Sequence, residues 1–575
     1  MAGLSGGAAT GAATGAASRP PVPRFRRSLG ARLGEVRRRD GAVARRPPLV
    51  LLVPGLAVAL LAAVPLVYLV LRAADAPAGV GPLLLRPRTI EILLTTVSLG
   101  AIVAVLSTLF GLPLAWLTAR TDLPGRRLWT VLAAIPLAIP SYVTAFGFIA
   151  AFGPRGLLRT TLSPLGDLAL PSIYGLAGTS LVLSLAAYPY VYLAARAAIL
   201  RTDPSLEEAA RSLGDGPRRA FWRVTLPAIG PALGAGIMLA VLYAISDFGA
   251  VALLGLDTLS RAIYTQYRAA FDRSLAAVLA LLLVALALAV AALEASARRR
   301  SVRLTLPPRR PPTIHRLGRW RWPALALAAG IVGLAAFLPV ATLAFWLLRG
   351  LANDEPFRIT VAAAIGTLTA SSGAAIAALL VAVPVGLLAV RHPGGLTNAV
   401  GTAVAVVFAL PGIVVALAVV SLTVGLPIVY QTLPVLVLAY AIRFLPEALG
   451  PLRASLARAG VRPEEAARSL GDGPLLAFWR VTLPAIRPAL VAGAALVFLT
   501  TAKELPMALI LGPIGFETLA TRIWGAASDG FYARAAAPGL LLVLVSALGT
   551  ALVLRGEQGL GGSRSLDDTD AEALR

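Results

Sequence analysis

The chain of 575 residues contains no cysteine, a single lysine and two histidines. Without cysteine, disulfide frameworks, thiolate zinc sites, iron–sulfur clusters and cysteine nucleophiles are excluded. The lysine, Lys503, follows Ala502, whereas a phosphate-binding P-loop requires the sequence Gly-Lys-Ser/Thr. The chain therefore holds no conventional P-loop ATPase site. The histidines, His315 and His392, lie beside arginine-rich breaks, and no pattern typical of an enzyme active site is found.

Charged residues are also scarce, at 14% of the chain, while 58% of the side chains are hydrophobic. Soluble domains carry roughly 25% charged residues, so a water-soluble protein is excluded. The apolar residues form blocks of about 20, the length of a membrane-spanning helix. We therefore predict an all-α integral membrane protein. The blocks predict twelve spans, near 49–72, 92–119, 129–152, 173–195, 231–254, 274–296, 323–348, 359–390, 398–424, 433–452, 488–511 and 535–554.

The net charge of +24 could indicate nucleic-acid binding, but its distribution favours a topological explanation. With residue 1 in the cytoplasm, 38 of the 52 Lys and Arg residues lie on the inner side, 10 outside and 4 within or at the ends of spans. Positive residues are retained on the cytoplasmic side, so both termini are predicted to be cytoplasmic. The expected charged surface is the lipid bilayer, and no nucleic acid is expected.

The chain divides at arginine-rich and low-complexity segments. Residues 1–48 lack the apolar core of a signal peptide and predict a disordered basic tail, and 297–322 reads as a cytoplasmic linker with nine arginines and no acid. The acidic segment 556–575 predicts a second disordered tail. Between them lie two six-span halves, 49–296 and 323–555.

The two halves are repeats of each other. Residues 207–233 and 464–490 agree at 24 of 27 positions, at an offset of 257. Each copy follows the fourth span of its half on the cytoplasmic side. Six spans return the chain to its starting side, so the halves have the same orientation. Parallel repeats of this kind are related by an axis along the membrane normal, with the transport pathway between them.

The duplicated segment predicts a short helix, a turn and a second helix on the inner face. Gly214 and Gly471 are expected to end the first helix through a left-handed cap. The sequence Leu-Pro at 226–227 and 483–484 is expected to stop the second. The segment could simply tie two spans together at the membrane surface. Two near-identical copies favour instead a surface that meets the same partner twice.

The spacing Glu-Ala-Ala, three residues, Gly, nine residues, Val-x-Leu-Pro resembles the EAA loop of type I ABC importer permeases. Valine, at 224 and 481, stands where isoleucine is commoner in that motif. The resemblance spans roughly 90–295 and 360–555, which implies two core transmembrane domains of that fold. It also implies that the loops dock on separate cytoplasmic ABC ATPase subunits, two copies being expected. The coupling residues it assigns are Glu207, Glu208, Ala209, Ala210, Gly214, Glu464, Glu465, Ala466, Ala467 and Gly471.

Among fused double permeases the chain is most similar to the ferric-iron family. The supporting sequences are Ser-Asp-Phe-Gly-Ala at 246–250, Arg-Phe-Leu-Pro-Glu at 443–447 and Lys-Glu-Leu-Pro at 503–506. This resemblance implies import of ferric iron in a bacterial inner membrane, with an extracytoplasmic substrate-binding protein and no cofactor. Thiamine, aminoethylphosphonate and polyamine permeases share the architecture and remain alternatives.

Five charged residues inside the predicted spans are candidates for the pathway: Asp247, Arg443, Glu447, Lys503 and Glu504. Asp247 and Glu504 are 257 residues apart, the offset of the repeat, and each is expected about 16 residues into its span. Gly249 and Pro506, two residues after the acids, are expected to loosen both helices at matching points. Such residues usually face a cavity or a charged partner. They are either substrate contacts or a salt-bridge cluster that sets helix register. Arg443 and Glu447, one helical turn apart, could pair.

Twelve spans in two parallel halves would also suit an ion-coupled secondary transporter, with Asp247 and Glu504 as proton carriers. Such a transporter has no need of the duplicated cytoplasmic loop. A channel is disfavoured because no filter-like segment is found. The sequence therefore favours an ATP-driven importer, in which this chain is a transport subunit and not an enzyme.

Overall fold

The computed structural model describes residues 47–76, 79–154, 156–158, 172–268, 272–304, 313–354 and 358–561. Over these ranges the protein is helical, and its one β-type contact is an isolated bridge between Thr121 and His315. The predicted tails fall almost wholly outside the described residues. The predicted linker is shorter than expected, because the preceding helix extends to Leu304 and the next begins at Arg321.

In the first half, long apolar helices alternate with short ones at the places where proline and glycine interrupt the apolar blocks. The helices are α1 Leu49–Ala74, α2 Val80–Leu84, α3 Pro87–Arg120, α4 Arg126–Leu132, α5 Ser141–Phe152, α6 Leu176–Arg201, α7 Pro204–Ser212, α8 Pro217–Ala220, α9 Leu226–Ser246, α10 Gly249–Leu253, α11 Leu259–Arg268 and α12 Arg273–Leu304.

The second half repeats this order from its second span onward, so that α3 corresponds to α15, α6 to α18, and α9 to α21. Its helices are α13 Arg321–Val332, α14 Leu338–Leu351, α15 Arg358–Arg391, α16 Gly395–Ala409, α17 Gly412–Thr423, α18 Leu433–Ala459, α19 Arg462–Ser469, α20 Pro474–Ala477, α21 Leu483–Ala502, α22 Pro506–Leu511, α23 Leu519–Ser528 and α24 Tyr532–Gly561.

Ten helices of the described chain are long and apolar enough to cross a membrane, or twelve segments if two bent pairs are each taken as one span. The bent pairs are the third and ninth predicted spans, with angles of 96° and 105°. Each break contains a proline, Pro140 or Pro411, and the residue before it is extended, with ψ of 121° at Ile139 and 133° at Leu410. A residue before proline is disfavoured in helical geometry, so these two spans break.

The fifth and eleventh spans also differ from their predicted bounds. They end at Ser246 and Ala502, and each is followed by a break and a short helix, α10 or α22. The expected stop at Leu-Pro is wrong. A π-helical turn over Phe221–Thr225 or Phe478–Thr482 precedes Leu-Pro, and the helix continues through it. A wider turn of this kind accommodates a proline that lacks the amide proton.

The two halves interlock through their first spans. Helix α1 of the first half packs against α15, α16 and α17 of the second, and α14 of the second half packs against α5 of the first. At the α5–α14 contact, a Cβ on Gly147 would lie 2.7 Å from the Cα of Pro339, so only glycine allows this approach. The central region between the halves is therefore enclosed by elements of both.

Candidate functional site

Each copy of the duplicated segment folds as a short helix, a left-handed turn and a second helix that continues into the next span. Gly214 has φ of 95° and Gly471 of 101°, which confirms the predicted left-handed caps. The following amides, of Asp215 and Asp472, each donate to a carbonyl five residues earlier at 3.1 Å. This pattern satisfies carbonyl groups that the end of the helix leaves free.

The outward surfaces of the two loops carry the same side chains. Glu208, Ala209, Glu465 and Ala466 are exposed, as are both cap glycines. At the tip of each loop, Leu213 and Leu470 are 88% and 89% exposed. By contrast Glu207 and Ala467 are buried, and Ala210 and Glu464 are half-buried. The ten predicted coupling residues therefore separate into an outward group and an inward group.

In the second loop, Glu464 is bound by two residues of its own half. Arg391 donates from Nη1 to Oε1 at 3.1 Å and from Nη2 to Oε2 at 2.5 Å, and the Thr482 hydroxyl donates to Oε2 at 2.6 Å. Burial acts to raise the pKa of Glu464, but the hydrogen bonds from Arg391 and Thr482 outweigh it and hold the pKa below its ordinary value. We call Arg391, Glu464 and Thr482 the second clasp.

The first loop has the same three residue types in equivalent places, but no hydrogen bond is found between them in the described chain. Arg120 is the last residue of α3, as Arg391 is of α15, and Glu207 and Thr225 match Glu464 and Thr482 at the offset of 257. Within the described chain, Nε and Nη2 of Arg120, Oε2 of Glu207 and Oγ1 of Thr225 are buried without a hydrogen-bond partner. The clasp is open in the first half.

A central cavity of about 360 Å³ lies between the halves, and all five charged pathway candidates line it. Its walls come from residues 137–249 of the first half and 408–506 of the second, and they include the four helix breaks. Non-helical backbone at membrane depth is tolerated where it is buried in protein or lines a cavity. The four breaks in the spans are therefore tolerated because they line this cavity.

Asp247 directly follows Ser246, the last residue of α9, and lies in the break that precedes α10. Its Oδ1 accepts from the amide of Ala250 at 2.8 Å, and its Oδ2 accepts from the hydroxyl of Ser141. A carboxylate at the start of a helix satisfies free amide groups, and here it does so for α10. Ser141 brings the first residue of α5 to the same carboxylate.

Glu504 also lies outside a continuous helix, in the break between α21 and α22. Its Oε2 accepts from Nη1 of Arg443 at 3.0 Å, and its Oε1 is buried without a hydrogen-bond partner in the described chain. A Cβ on Gly412 would lie 2.1 Å from that Oε1, so glycine at this position leaves room for the carboxylate. Arg443 also donates from Nε to the carbonyl of Leu410 at 3.3 Å.

The pairing of Arg443 with Glu447 is not found, because Arg443 reaches Glu504 instead. Glu447 accepts from the hydroxyl of Thr500 at 2.7 Å. Lys503 donates from Nζ to the carbonyl of Leu137 in the other half at 3.1 Å. Both cations of the cavity are thus engaged, whereas one carboxylate oxygen of Glu504 is not.

Comparison with known proteins places the chain among transport proteins. The family of binding-protein-dependent transport system inner membrane components matches twice, over residues 107–303 and 382–560. The chain belongs to this family. The Fe(3+)-transport system permease protein FbpB 2 of Haemophilus influenzae is 31% identical over 511 residues, which are 88% of this chain and 97% of that protein. It spans both halves.

Two further relatives of the permease each match about one third of the chain. The molybdenum transport system permease protein ModB of Escherichia coli is 28% identical over 204 residues, 34% of this chain and 88% of that protein. The probable sulfate transport system permease protein cysT of Nephroselmis olivacea is 32% identical over 159 residues, 28% of this chain and 55% of that protein.

Several residues of the permease that shape these sites were missed by the sequence reasoning. Arg120 and Arg391 are the last residues of α3 and α15, and their signal was an arginine ending the second apolar block of each half. Ser141 and Gly412 follow the prolines that break the third and ninth spans. Their signal was a proline followed by a small residue inside an apolar block, a pattern present in both halves.

Proposed function

We propose that the permease imports ferric iron, driven by ATP hydrolysis on separate ATPase subunits. The choice of substrate rests on the charged groups that line the cavity. Asp247, Glu447 and Glu504 supply carboxylate oxygens, and Arg443 and Lys503 are already bound to protein oxygens. Hard oxygen ligands suit a hard cation. The likeness to an Fe(3+) permease over both halves supports the same substrate.

Sulfate and molybdate are the main competing substrates, because permeases so named match single halves of the chain. An oxyanion requires free donors, such as unpaired arginine or lysine groups or helix N-termini. In this cavity the N-terminus of α10 is capped by Asp247, and Arg443 is paired with Glu504. Among the described residues that line the cavity, the buried side-chain atom without a hydrogen-bond partner is Oε1 of Glu504. It is a carboxylate oxygen, which favours a cation.

The proposed iron contacts are transient. A conducting site must release its cargo as well as receive it, and no group of three or more His, Asp or Glu residues that could hold a metal occurs among the described residues. We assign Asp247 and the free Oε1 of Glu504 to this passing contact. Glu447, Arg443 and Lys503 set the local charge and the position of the two acids.

Energy is proposed to enter through the two loops. Each presents the same exposed glutamate, alanine and leucine surface, which suits two copies of one ATPase subunit. A loaded extracytoplasmic binding protein would dock on the opposite face. ATP-driven movement of the ATPase pair would then be transmitted through both loops to the helices around the cavity.

The proposed location is a bacterial inner membrane with both termini in the cytoplasm. It rests on the distribution of arginines, 38 of 52 basic residues inside against 10 outside. Reporters fused after Arg120 and at the C-terminus should report the cytoplasm, and one near Asp354 should report the outside. A cytoplasmic signal at Asp354 would contradict the twelve-span topology.

The substrate is tested with the complete importer in vesicles, by uptake of radioactive iron delivered by its binding protein. We expect the double substitution Asp247→Asn with Glu504→Gln to depress uptake while insertion and ATPase binding remain. Asp529→Asn, which neutralises an exposed acid far along the chain, is the control and should transport normally. Normal iron uptake by the stably assembled double variant, or uptake of sulfate or molybdate in place of iron, would overturn the proposal.

A further inference from the structure

Residues 313–317, in the segment that joins the two halves, are docked on the last residues of α3, beside the first loop. We call these residues the joining segment. The amide of His315 donates to the carbonyl of Arg120 at 2.7 Å, and the amide of Asp122 donates to the carbonyl of His315 at 3.3 Å. The amide of Leu317 donates to Oδ1 of Asp122 at 2.8 Å. Three hydrogen bonds within five residues fix the backbone of this segment.

The side chains of the same segment enter the site where the first clasp would close. The Thr313 hydroxyl accepts from Nη1 of Arg120 at 3.1 Å. The His315 ring stacks on Trp116, with centroids 5.8 Å apart and planes at 14°. Its Nε2 lies 3.8 Å from Oε1 of Glu207, beside the carboxylate but beyond hydrogen-bond distance.

The second half shows what these residues do without such a segment. There Arg391 reaches Glu464 through two hydrogen bonds, and Thr482 completes the clasp. In the first half Arg120 is fully buried and turned toward Thr313. A buried arginine without its carboxylate partner is costly unless other contacts hold it. The joining segment supplies such contacts for Arg120.

We propose that Thr313 and His315 are positioning residues for the first loop. They connect α3 to the first loop through Arg120, Trp116 and Phe221, whereas the second loop is held directly by Arg391. The segment is therefore a working part of the first ATPase contact and not only a tether between halves. This inference rests on the proposed coupling function of the loops.

Trp116 connects the joining segment to the first loop, because its ring contacts both His315 and Phe221. It packs edge-on against Phe221, with ring centroids 5.0 Å apart, and Phe221 begins the π-helical turn after the loop. His315, Trp116 and Phe221 thus form a continuous stack from the joining segment to the second helix of the first loop. Displacing His315 would release one side of Trp116 and loosen this connection.

The docking is tested by cross-linking in the full-length permease. Because the chain has no cysteine, an introduced pair supplies its only thiols. Thr121→Cys with His315→Cys should form a disulfide, since the two residues are paired in a β-bridge and such pairs lie within disulfide reach. His392→Cys with His315→Cys is the control and should not, because His392 follows Arg391 as Thr121 follows Arg120. Failure of the first pair to cross-link would overturn the docking, whether or not an ATPase is present.

The positioning role is tested by uptake per ATP hydrolysed in the reconstituted importer. Loss of the aromatic stack in His315→Ala should lower this ratio about two- to tenfold, and Thr313→Val should lower it less. His315→Phe, which keeps the stack, should restore much of it, and His392→Ala should leave it unchanged. An unchanged ratio in His315→Ala, with the cross-link still formed in the cysteine pair, would overturn the role. If the parent importer showed no ATP dependence, the coupling proposal itself would fail instead.

Discussion

The two loops have nearly the same sequence but are attached to the protein differently. The two walls of the cavity show the reverse: their backbones break at equivalent places, but their side chains differ. The loops agree at 24 of 27 positions, but a closed clasp holds the second and the joining segment reaches into the first. The two walls of the cavity share their backbone breaks, but their equivalent residues differ. At the offset of 257, Arg443 corresponds to Ala186, Glu447 to Tyr190 and Lys503 to Ser246.

This contrast separates two kinds of constraint. A surface that meets two copies of one partner must keep its outward side chains, while its inward attachment is free to vary. A cavity on the axis between two halves serves one substrate, so its two walls need not match. Here the second half supplies both cations and two of the three acids, and the first supplies Asp247 and the hydroxyls of Ser141, Tyr190 and Tyr243.

The largest effect is expected from breaking the ion pair of the second wall. Arg443→Gln leaves the carboxylate of Glu504 buried without its partner, and removing one member of a buried pair costs about 3–5 kcal/mol. The thermal midpoint of the purified permease should fall accordingly. Adding Glu504→Gln to this variant should recover much of the loss. A single variant as stable as the parent would show that the two walls do not differ in this way.

A smaller and equal effect is expected at the two loop tips. Leu213→Asp and Leu470→Asp each remove one exposed leucine that we expect the ATPase to bury, worth about 1.5–3 kcal/mol. Each should weaken ATPase binding by a similar factor in a pull-down titration. Leu475→Arg, which installs the residue found at the equivalent Arg218, is the control and should bind normally. A strong effect in one loop and none in the other would break the equivalence of the surfaces.

The sequence was sufficient for what periodicity and repetition determine. It predicted the helical class, the apolar segments, the two repeats and the glycine caps at Gly214 and Gly471. It also predicted that Gly249 and Pro506 loosen both helices at matching points, and the helices break just before these residues, at Asp247 and Glu504. The hydrogen-bond partners of the two carboxylates could not be predicted, because an apolar run does not reveal where a carboxylate replaces the helical hydrogen bond. The partner of Arg443 was misassigned because sequence spacing gives neighbours along one helix, whereas Glu504 comes from another.

The two clasps could not be predicted for a related reason. Arg391 and Glu464 are 73 residues apart, and Arg120 and His315 are 195 apart. Only packing of α15 beside the second loop, and of the joining segment beside the first, brings these residues together. The near-identity of the loops predicted one shared partner surface, and it carried no information on how each loop is attached.

Unequal attachment predicts unequal sensitivity at the inward glutamates. Glu464→Gln removes a charge-assisted pair and should lower the protection of 462–469 against hydrogen exchange by about 1.5 kcal/mol. Glu207→Gln should change the protection of 204–212 by less, because Glu207 receives no hydrogen bond from Arg120. Equal losses in the two loops would contradict an open first clasp.

The smallest effect is expected from lowering the pH, which should reduce the hydrogen-exchange protection of the second loop. The pKa of Glu464 is held below its ordinary value of 4.5, so its pair stabilises the loop fully above that pH and loses this contribution as the pH falls through the lowered value. Protection of the second loop should therefore be constant near neutrality and decline only in acid. In Glu464→Gln this acid-dependent component should disappear. Persistence of the same decline would assign it to another group.

Coupling through the two loops is tested most directly by measuring iron uptake and ATP hydrolysis together after reversing the charge of both outward glutamates. Glu208→Arg with Glu465→Arg places a basic residue on each proposed ATPase contact and leaves the clasps and the cavity untouched. We expect a stably inserted permease that no longer imports iron and no longer binds or stimulates its ATPase. Full ATP-driven uptake by this variant would contradict coupling through the two loops.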